Sequence, residues 1–341
     1  MNKKKIAFVG TGFISQICHL PFFHKHKKID IVALCDADLK TAKKVQKKYR
    51  IPNVYYDYKI LIKNEKKLDA IVLVVPRHKT FEISKYILKK KINLFSEKPM
   101  ALSEYNAKKL VEIGDQNKVQ YVIGHMKRHD ASIGYLKKLF NKKDFNFLNL
   151  KSVYYESFAG DSFGKLKKLI IKNKKYKSHE ICDDVMKNNI PLIKKKTYLK
   201  FLNTHCHAIN LLRYLFGEIN LKFKNLDNNG EGIIGFKKDN KLLILNTRKI
   251  YSNDWHEKMI INFKNYQISL DFPMPMMKNQ PDRLRILNLK TYKTKIIKLK
   301  KNWSFENQAL SFINVLTKKI KPICPGKDCI YDLKIIKKLF L

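Results

Sequence analysis

The stretch Ile6-Ala7-Phe8-Val9-Gly10-Thr11-Gly12-Phe13-Ile14-Ser15 decides the reading of this chain. Four apolar residues form a strand that runs directly into a glycine-rich turn. In a doubly wound α/β domain, that turn seats the pyrophosphate of a dinucleotide. Gly10 permits the tight turn, and Gly12 lets the backbone come close to the phosphates. A helix starting near Phe13 and Ile14 aims its N-terminal N–H groups at them. Ser15 stands where the usual fingerprint has a third glycine. A glycine turn alone is a weak signal, so its neighbours must carry the argument.

Ile29 to Leu34 reads as a second strand, ending at Cys35-Asp36. An acidic residue at that tip, roughly 20 residues past the turn, is where a ribose hydroxyl is gripped. The other reading of Asp36 is a plain turn start, Asp36-Ala37-Asp38. Taken with the whole unit, Asp36 reads as the ribose ligand. Its carboxylate would repel a 2′-phosphate, so NAD is expected in preference to NADP.

A chain of 341 residues is expected to hold about two domains. Its 45% apolar content supports a sizeable core. No apolar run approaches the ~20 residues of a membrane span. Lys3-Lys4-Lys5 before Ile6 to Val9 imitates a signal peptide, but Gly10 and Gly12 interrupt the apolar stretch. Six scattered cysteines contain no Cys-x-x-Cys pair. Reduced thiols in the cytoplasm are therefore expected, with no metal. The 71 basic and 29 acidic residues give a net charge of +42. Lysines spread over every predicted helix and loop, arginine is scarce, and no basic arm is interleaved with aromatics. The charge reads as solvated faces, with no specific nucleic acid as partner.

The first third alternates strands and helices. Leu39 to Tyr49 reads as a helix, Val54 to Tyr56 as a strand, and Leu68 to Val75 as a central buried strand ending at Pro76. A helix (Thr80 to Lys89), a strand (Ile92 to Phe95), a helix capped by Ser103 (Glu104 to Asp115) and a strand (Val119 to Ile123) follow. The fold class is α/β: a Rossmann domain over 1–124, then a second domain over 125–341. The second domain holds the helix Ile133 to Phe140, the strand Phe147 to Tyr155 and the helix Leu202 to Phe216, which ends at Gly217. Its six further strands lie between Gly232 and Leu299, and the helices Phe305 to Lys318 and Ile330 to Leu341 close the chain. This is an α+β domain with a large, mostly antiparallel open sheet. Within this second domain, a lysine-rich region at about 156–200 matches no motif and is expected to shape substrate choice.

Two constellations carry candidate chemistry. Ser96-Glu97-Lys98-Pro99 follows a parallel strand, and the C-terminal strand ends form the ligand crevice in this architecture. A lysine there can polarise a carbonyl or stabilise an alkoxide. Glu97 and Lys98 can equally be an exposed charged pair, and spacing alone leaves both readings standing. In Phe201 to Asn210, Asn203 and His207 are i,i+4 on one helix face with Asn210 alongside, a stripe suited to sugar hydroxyls. His207 can take a proton near neutral pH, or be a satisfied structural histidine. His205 points to another face and reads as structural.

These residues together resemble the glucose–fructose oxidoreductase, inositol dehydrogenase and MocA (Gfo/Idh/MocA) family. The resemblance rests on Gly10-Thr11-Gly12 with His19 downstream, Asp36, Val75-Pro76, Glu97-Lys98-Pro99, Asn203 to His207 continuing to Tyr214, and Pro325-Gly326-Lys327-Asp328. It implies an NAD(P)-dependent oxidoreductase acting on sugars, nucleotide sugars or cyclitols. Lys98 and His207 match its catalytic lysine and histidine. Gly10, Gly12, Phe13, Ile14, Asp36, Pro76, Glu97 and Lys98 would hold the cofactor. His125, Arg128, Asn203 and His207 would face substrate. The family's open sheet implies a homodimer or homotetramer. Two positions depart from the pattern: Asn203 stands where many members have Asp, and Thr80 where they have a histidine. The rival readings are a redox-assisted lyase or glycosidase-like enzyme with tightly held NAD, and a basic nucleic-acid-binding or scaffold protein.

Overall fold

The computed structural model describes residues 3–161, 164–173, 185, 188–252, 255–300 and 303–341. The chain divides into two compact units, and the division is interleaved. The first unit takes residues 1–125, 165–189 and 308–333, and the second takes 126–164, 190–307 and 334–341. This corrects the expectation of a continuous second domain from residue 125. The reason is apolar packing. Ala309, Phe312, Ile313 and Leu316 are buried in the same cluster as Ile6, Phe8, Phe23, Leu34, Val72 and Phe95. Burying a large apolar side chain contributes about 1.5–3 kcal/mol, so these late residues join the first core.

The first unit is built on six parallel strands: β1 (Lys4–Val9), β2 (Ile29–Cys35), β3 (Asn53–Tyr55), β4 (Ala70–Leu73), β5 (Asn93–Ser96) and β6 (Tyr121–Ile123). Their order is β3-β2-β1-β4-β5-β6, which reverses between β1 and β4 and makes that point the ligand crevice of a doubly wound sheet. β4 is buried at every position, as its β-branched run requires. The helices are α1 (Leu20–Lys25), α2 (Leu39–Tyr49), α3 (Tyr58–Asn64), α4 (Arg77–Lys89) and α5 (Glu104–Gln116). Asp38 and Ser103 cap α2 and α5 by accepting from Thr41 N and Asn106 N. A π-helical turn, Ser15–His19, precedes α1, with Leu20 N bonded to Ser15 O. Pro21 follows and has no N–H to continue an α ladder. Sequence periodicity does not reveal this turn.

In the second unit, α6 (Ala131–Leu139) leads to β7 (Leu150–Ala159), then α7 (Lys195–Thr204) and α8 (Cys206–Phe216). The remaining strands are β8 (Asn220–Leu226), β9 (Gly232–Lys238), β10 (Lys241–Lys249), β11 (His256–Phe263), β12 (Tyr266–Phe272), β13 (Arg283–Asn288) and β14 (Thr294–Ile297). They form one eight-stranded sheet of order β14-β13-β12-β11-β7-β10-β9-β8. It is antiparallel except where β7 pairs with β10. α9 (Ser304–Lys318) and α10 (Gly326–Phe340) complete the chain. Sequence reading misses β8, an edge strand exposed along most of its length, because lysines at 222 and 224 replace the apolar alternation. The single helix expected over Leu202 to Phe216 is two helices that meet at His205, whose ψ is 2°. His205 is held there by Ser157 Oγ, 3.1 Å from its Nδ1, and its ring packs on Phe201.

Candidate active site

The parallel sheet brings Gly10, Asp36, Pro76 and Lys98 to one edge, because each follows the carboxyl end of a strand. The ladder continues into these exits: Gly10 N bonds Cys35 O at 2.8 Å, Val74 N bonds Val9 O at 2.8 Å, and Glu97 N bonds Leu73 O at 2.9 Å. Gly10 has φ +96°, and a Cβ there would lie 1.9 Å from Val74 O. Only glycine fits, since both the left-handed backbone and the neighbouring carbonyl exclude a side chain. At Gly12 a Cβ would meet nothing within 4 Å, so this side of the turn is open. Phe13 and Ile14 open the helix beside that space and are half-buried. The combination suits a dinucleotide: a turn held rigid at Gly10, room at Gly12, and helix N–H groups beside it.

Asp36 is tied to the same turn. Its Oδ2 accepts from Thr11 N at 2.7 Å and from Thr11 Oγ1 at 2.9 Å, and Oδ1 accepts from Asp38 N at 2.9 Å. The carboxylate remains partly exposed, with acceptor capacity left for a ribose hydroxyl. The late segment of the first unit also reaches this turn. Gln16 Nε2 donates to Thr11 O and Ile171 O, and Ile171 N donates back to Gln16 Oε1 at 2.9 Å. Asn188 Nδ2 donates to Leu102 O while its Oδ1 accepts from Glu104 N at the start of α5. The described parts of 165–189 therefore lie on the first unit. Residues 162–163, 174–184 and 186–187 of the region expected to shape substrate choice lie outside the described residues.

Glu97 organises the exit of β5. Its Oε1 is 2.7 Å from Nε2 of the fully buried His19, and its Oε2 accepts from Lys98 N at 3.1 Å. Gly124 packs against the same carboxylate, where a Cβ would stand 3.0 Å from it. With Glu97 fixed from three sides, the backbone of Lys98 has little freedom, and its side chain is half-buried. Pro76 is exposed at the N-cap of α4, and Thr80 is buried within that helix's first turn.

In the second unit, Asn203 is exposed near the end of α7, and His207 is half-buried in the first turn of α8. Asn210, expected on the same polar stripe, is instead buried, and its Oδ1 accepts from Arg128 Nε at 2.6 Å. Arg128 is buried too, with its guanidinium 4.6 Å from the centre of the Tyr214 ring. His205 is buried, and desolvation, with Lys200 adding to it, pushes its pKa down to about 3. His125 belongs to the first unit, where it is 4% exposed and faces Asp332 and Cys329.

A charged cluster that sequence reading missed lies just after β6. Lys127 Nζ pairs with Glu257 Oε2, and Tyr155 Oη donates to Glu257 Oε1 at 3.0 Å. The Lys127 ammonium also sits 4.5 Å from the centre of the Phe272 ring. Burial works against the Lys127 charge, but Glu257, Asp130 and Asp282 raise its pKa overall. Asp130 is pushed well above the ordinary carboxylate range by burial and then by Asp282. Three carboxylates share one buried lysine, so the protonated form of Asp130 relieves the excess negative charge. In sequence these residues are spread from 127 to 282 with no common spacing.

Comparison with known proteins follows this geometry. Residues 4–125 match the Gfo/Idh/MocA oxidoreductase family with its NAD-binding Rossmann fold. Inositol 2-dehydrogenase of Salmonella paratyphi B is 26% identical over 137 residues, covering 40% of this chain and 40% of that protein. The match thus spans well under half the length of this curated relative. Among solved structures, aldose–aldose oxidoreductase of Caulobacter crescentus superposes with a TM-score of 0.75 at 16% identity, covering 99% of this chain and 97% of the other. UDP-N-acetylglucosamine 3-dehydrogenase of Acidithiobacillus ferrooxidans gives 0.73 at 15% identity, with 99% and 97% covered. Among the described residues, no helix is long and apolar enough to cross a membrane. The chain resembles the Gfo/Idh/MocA oxidoreductases, through the NAD-binding Rossmann fold of residues 4–125 and through a two-sheet fold that it shares along its length with these sugar-acting enzymes.

Proposed function

We propose that the protein is a dehydrogenase that uses NAD, in preference to NADP, on a secondary alcohol or ketone of a sugar, nucleotide sugar or cyclitol. The observation that carries this reading is the edge of the parallel sheet. There the rigid turn at Gly10, the open face at Gly12, the Asp36 carboxylate and Lys98 follow β1, β2 and β5. NAD, when bound, supplies the carbon that accepts or returns a hydride. Phe13 and Ile14 offer backbone N–H groups to its phosphates, Asp36 accepts from its ribose, and Pro76 and Glu97 shape the strand exits beside it. Lys98, in the first unit, is the candidate for stabilising the negative oxygen left when the substrate hydroxyl loses its proton, and His207, in the second unit, is the candidate proton acceptor, or each has the other's role. Asn203 offers an amide to a further hydroxyl. Arg128 acts through Asn210, holding the helix that carries His207. The names of the relatives support a polyhydroxylated substrate.

The open face of the eight-stranded sheet carries Tyr154, Ile244 and Ile260, all partly exposed between polar residues. We propose that a second copy covers this face as a homodimer or homotetramer, which light scattering after gel filtration would measure.

The test of the chemistry is Lys98→Met, assayed with NAD against a panel of polyols and sugars. Turnover should fall on the order of 100-fold or more, well beyond any loss of NADH affinity measured in the same variant. Activity near that of the unaltered chain would remove Lys98 from the mechanism. Release of one NADH into solution per substrate oxidised is expected. Its absence during turnover would favour the tightly held NAD of a redox-assisted lyase.

A further inference from the structure

The open edge of β6 is paired with the turn that starts α10. Ile123 N donates to Cys324 O at 3.0 Å, and Val122 bridges Pro325. Gly326 is needed there, because a Cβ would stand 2.6 Å from the Tyr121 ring. This docking gathers side chains that are 199 residues apart in sequence. His125 lies two residues past β6, and Cys324 lies in the turn. Cys329 and Asp332, at i and i+3 in α10, share a helix face. All four belong to the first unit and are buried, at 4% exposure for His125, 0% for Cys324, 2% for Cys329 and 3% for Asp332. The two sulfurs are 3.4 Å apart, and His125 Nε2 is 3.8 Å from Asp332 Oδ2. One ligand atom from each of His125, Cys329 and Asp332 lies within 4.8 Å of the other two.

We propose that His125, Cys329 and Asp332 hold a structural zinc ion, with Cys324, whose sulfur is 3.4 Å from that of Cys329, turning in to supply the fourth ligand, at a site separate from the hydride chemistry. Tetrahedral zinc, with bonds of about 2.3 Å to sulfur and about 2.0–2.1 Å to nitrogen or oxygen, keeps two sulfurs about 3.8 Å apart and a nitrogen–oxygen pair about 3.3 Å apart. The sulfur–sulfur distance of 3.4 Å and the nitrogen–oxygen distance of 3.8 Å each lie within about half an ångström of these, a gap that side-chain rotation closes on binding. At 3.8 Å the His125–Asp332 pair is too long for a direct hydrogen bond, and a shared metal would draw the two atoms a few tenths of an ångström closer. Two sulfurs, a nitrogen and an oxygen suit zinc, whereas magnesium and calcium take oxygen ligands. Binding releases two thiol protons to solvent, giving two thiolates, a carboxylate and a neutral imidazole around Zn²⁺. The cation offsets the cost of burying the Asp332 carboxylate. It fastens the first turns of α10 to the end of β6, where packing of Tyr121 on Gly326 already holds them close.

The test is zinc content by plasma mass spectrometry, on protein purified under reducing conditions without chelator. About one zinc per chain is expected. Cobalt exchanged into the unaltered chain should give a sulfur-to-cobalt charge-transfer band, a readout that needs no variant to fold. Asp332→Asn and Cys329→Ser should each lower zinc retention on the order of tenfold or more. The proposal is overturned if the unaltered chain retains no zinc after incubation with zinc chloride and gel filtration. It is equally overturned if freshly purified protein carries a Cys324–Cys329 disulfide by mass, or if both variants retain zinc as the unaltered chain does.

Discussion

Alanine placed at Gly10 and at Gly12 should separate what the glycine turn does for stability from what it does for binding. At Gly10 the added Cβ would sit 1.9 Å from Val74 O, far inside the 3.4 Å at which ordinary contact begins. That carbonyl cannot withdraw freely, because Val74 N is bonded to Val9 O within the sheet. The left-handed φ of +96° adds its own penalty. A left-handed non-glycine residue costs about 1–2 kcal/mol and overpacking about 1–3 kcal/mol, so Gly10→Ala should lose about 2–5 kcal/mol. At about 2–4 °C per kcal/mol, the melting temperature should drop by roughly 5–15 °C. Gly12→Ala meets no atom within 4 Å, so its stability should stay within about 0.5 kcal/mol. Its new methyl occupies the space reserved here for the pyrophosphate, and NADH affinity should weaken about tenfold or more, equivalent to about 1.4 kcal/mol. Thermal unfolding followed by circular dichroism reads the first effect, and NADH fluorescence titration reads the second. If Gly12→Ala binds NADH as tightly as the unaltered chain, the turn is not the phosphate seat. If Gly10→Ala melts at the unaltered temperature, the steric account of the turn is wrong.

Asp36→Ser removes the carboxylate that would repel a 2′-phosphate, and it frees Thr11 N and Oγ1 from their acceptor. NADH should bind about tenfold more weakly and NADPH more tightly; an unchanged ratio in parallel titrations would refute the role given to Asp36. His129 and His205 both have folded pKa values of about 3, caused first by burial and then by Arg128 and Lys200 respectively. Each is neutral in the folded protein but titrates near 6.5 when unfolded, so its stabilising contribution is present above pH 6.5 and declines as pH falls toward 3. Each should cost on the order of 1–2 kcal/mol between pH 5.5 and pH 5. Asp130 and Asp282, with raised pKa values, act in the opposite direction. Comparing urea unfolding of the unaltered chain and His205→Gln therefore isolates the histidine: the variant should lose stability less steeply between pH 7.5 and 5.5, and identical slopes would refute the burial argument.

The parallel sheet and its crevice were legible in the chain's local patterns. Strand-like runs, the glycine turn, Asp36 and Glu97-Lys98 are local signals, each set by backbone chemistry within a few residues, and the structure places them along one sheet edge. The helix α2 lies on the residues that periodicity picks, Leu39 to Tyr49, because its apolar positions and the Asp38 cap are local as well. What depends on partners distant in sequence was not legible. The break at His205 comes from an anchor on Ser157 in β7. Asn210 turned inward because Arg128, 82 residues earlier, supplies its hydrogen bond. The Lys127–Glu257–Tyr155 cluster and the gathering of His125 with Cys324, Cys329 and Asp332 follow no spacing at all. Helical and strand periods reveal which face of an element is buried. Which buried polar groups then meet is decided by tertiary packing, because a desolvated charge or amide must find a partner wherever the folded chain provides one.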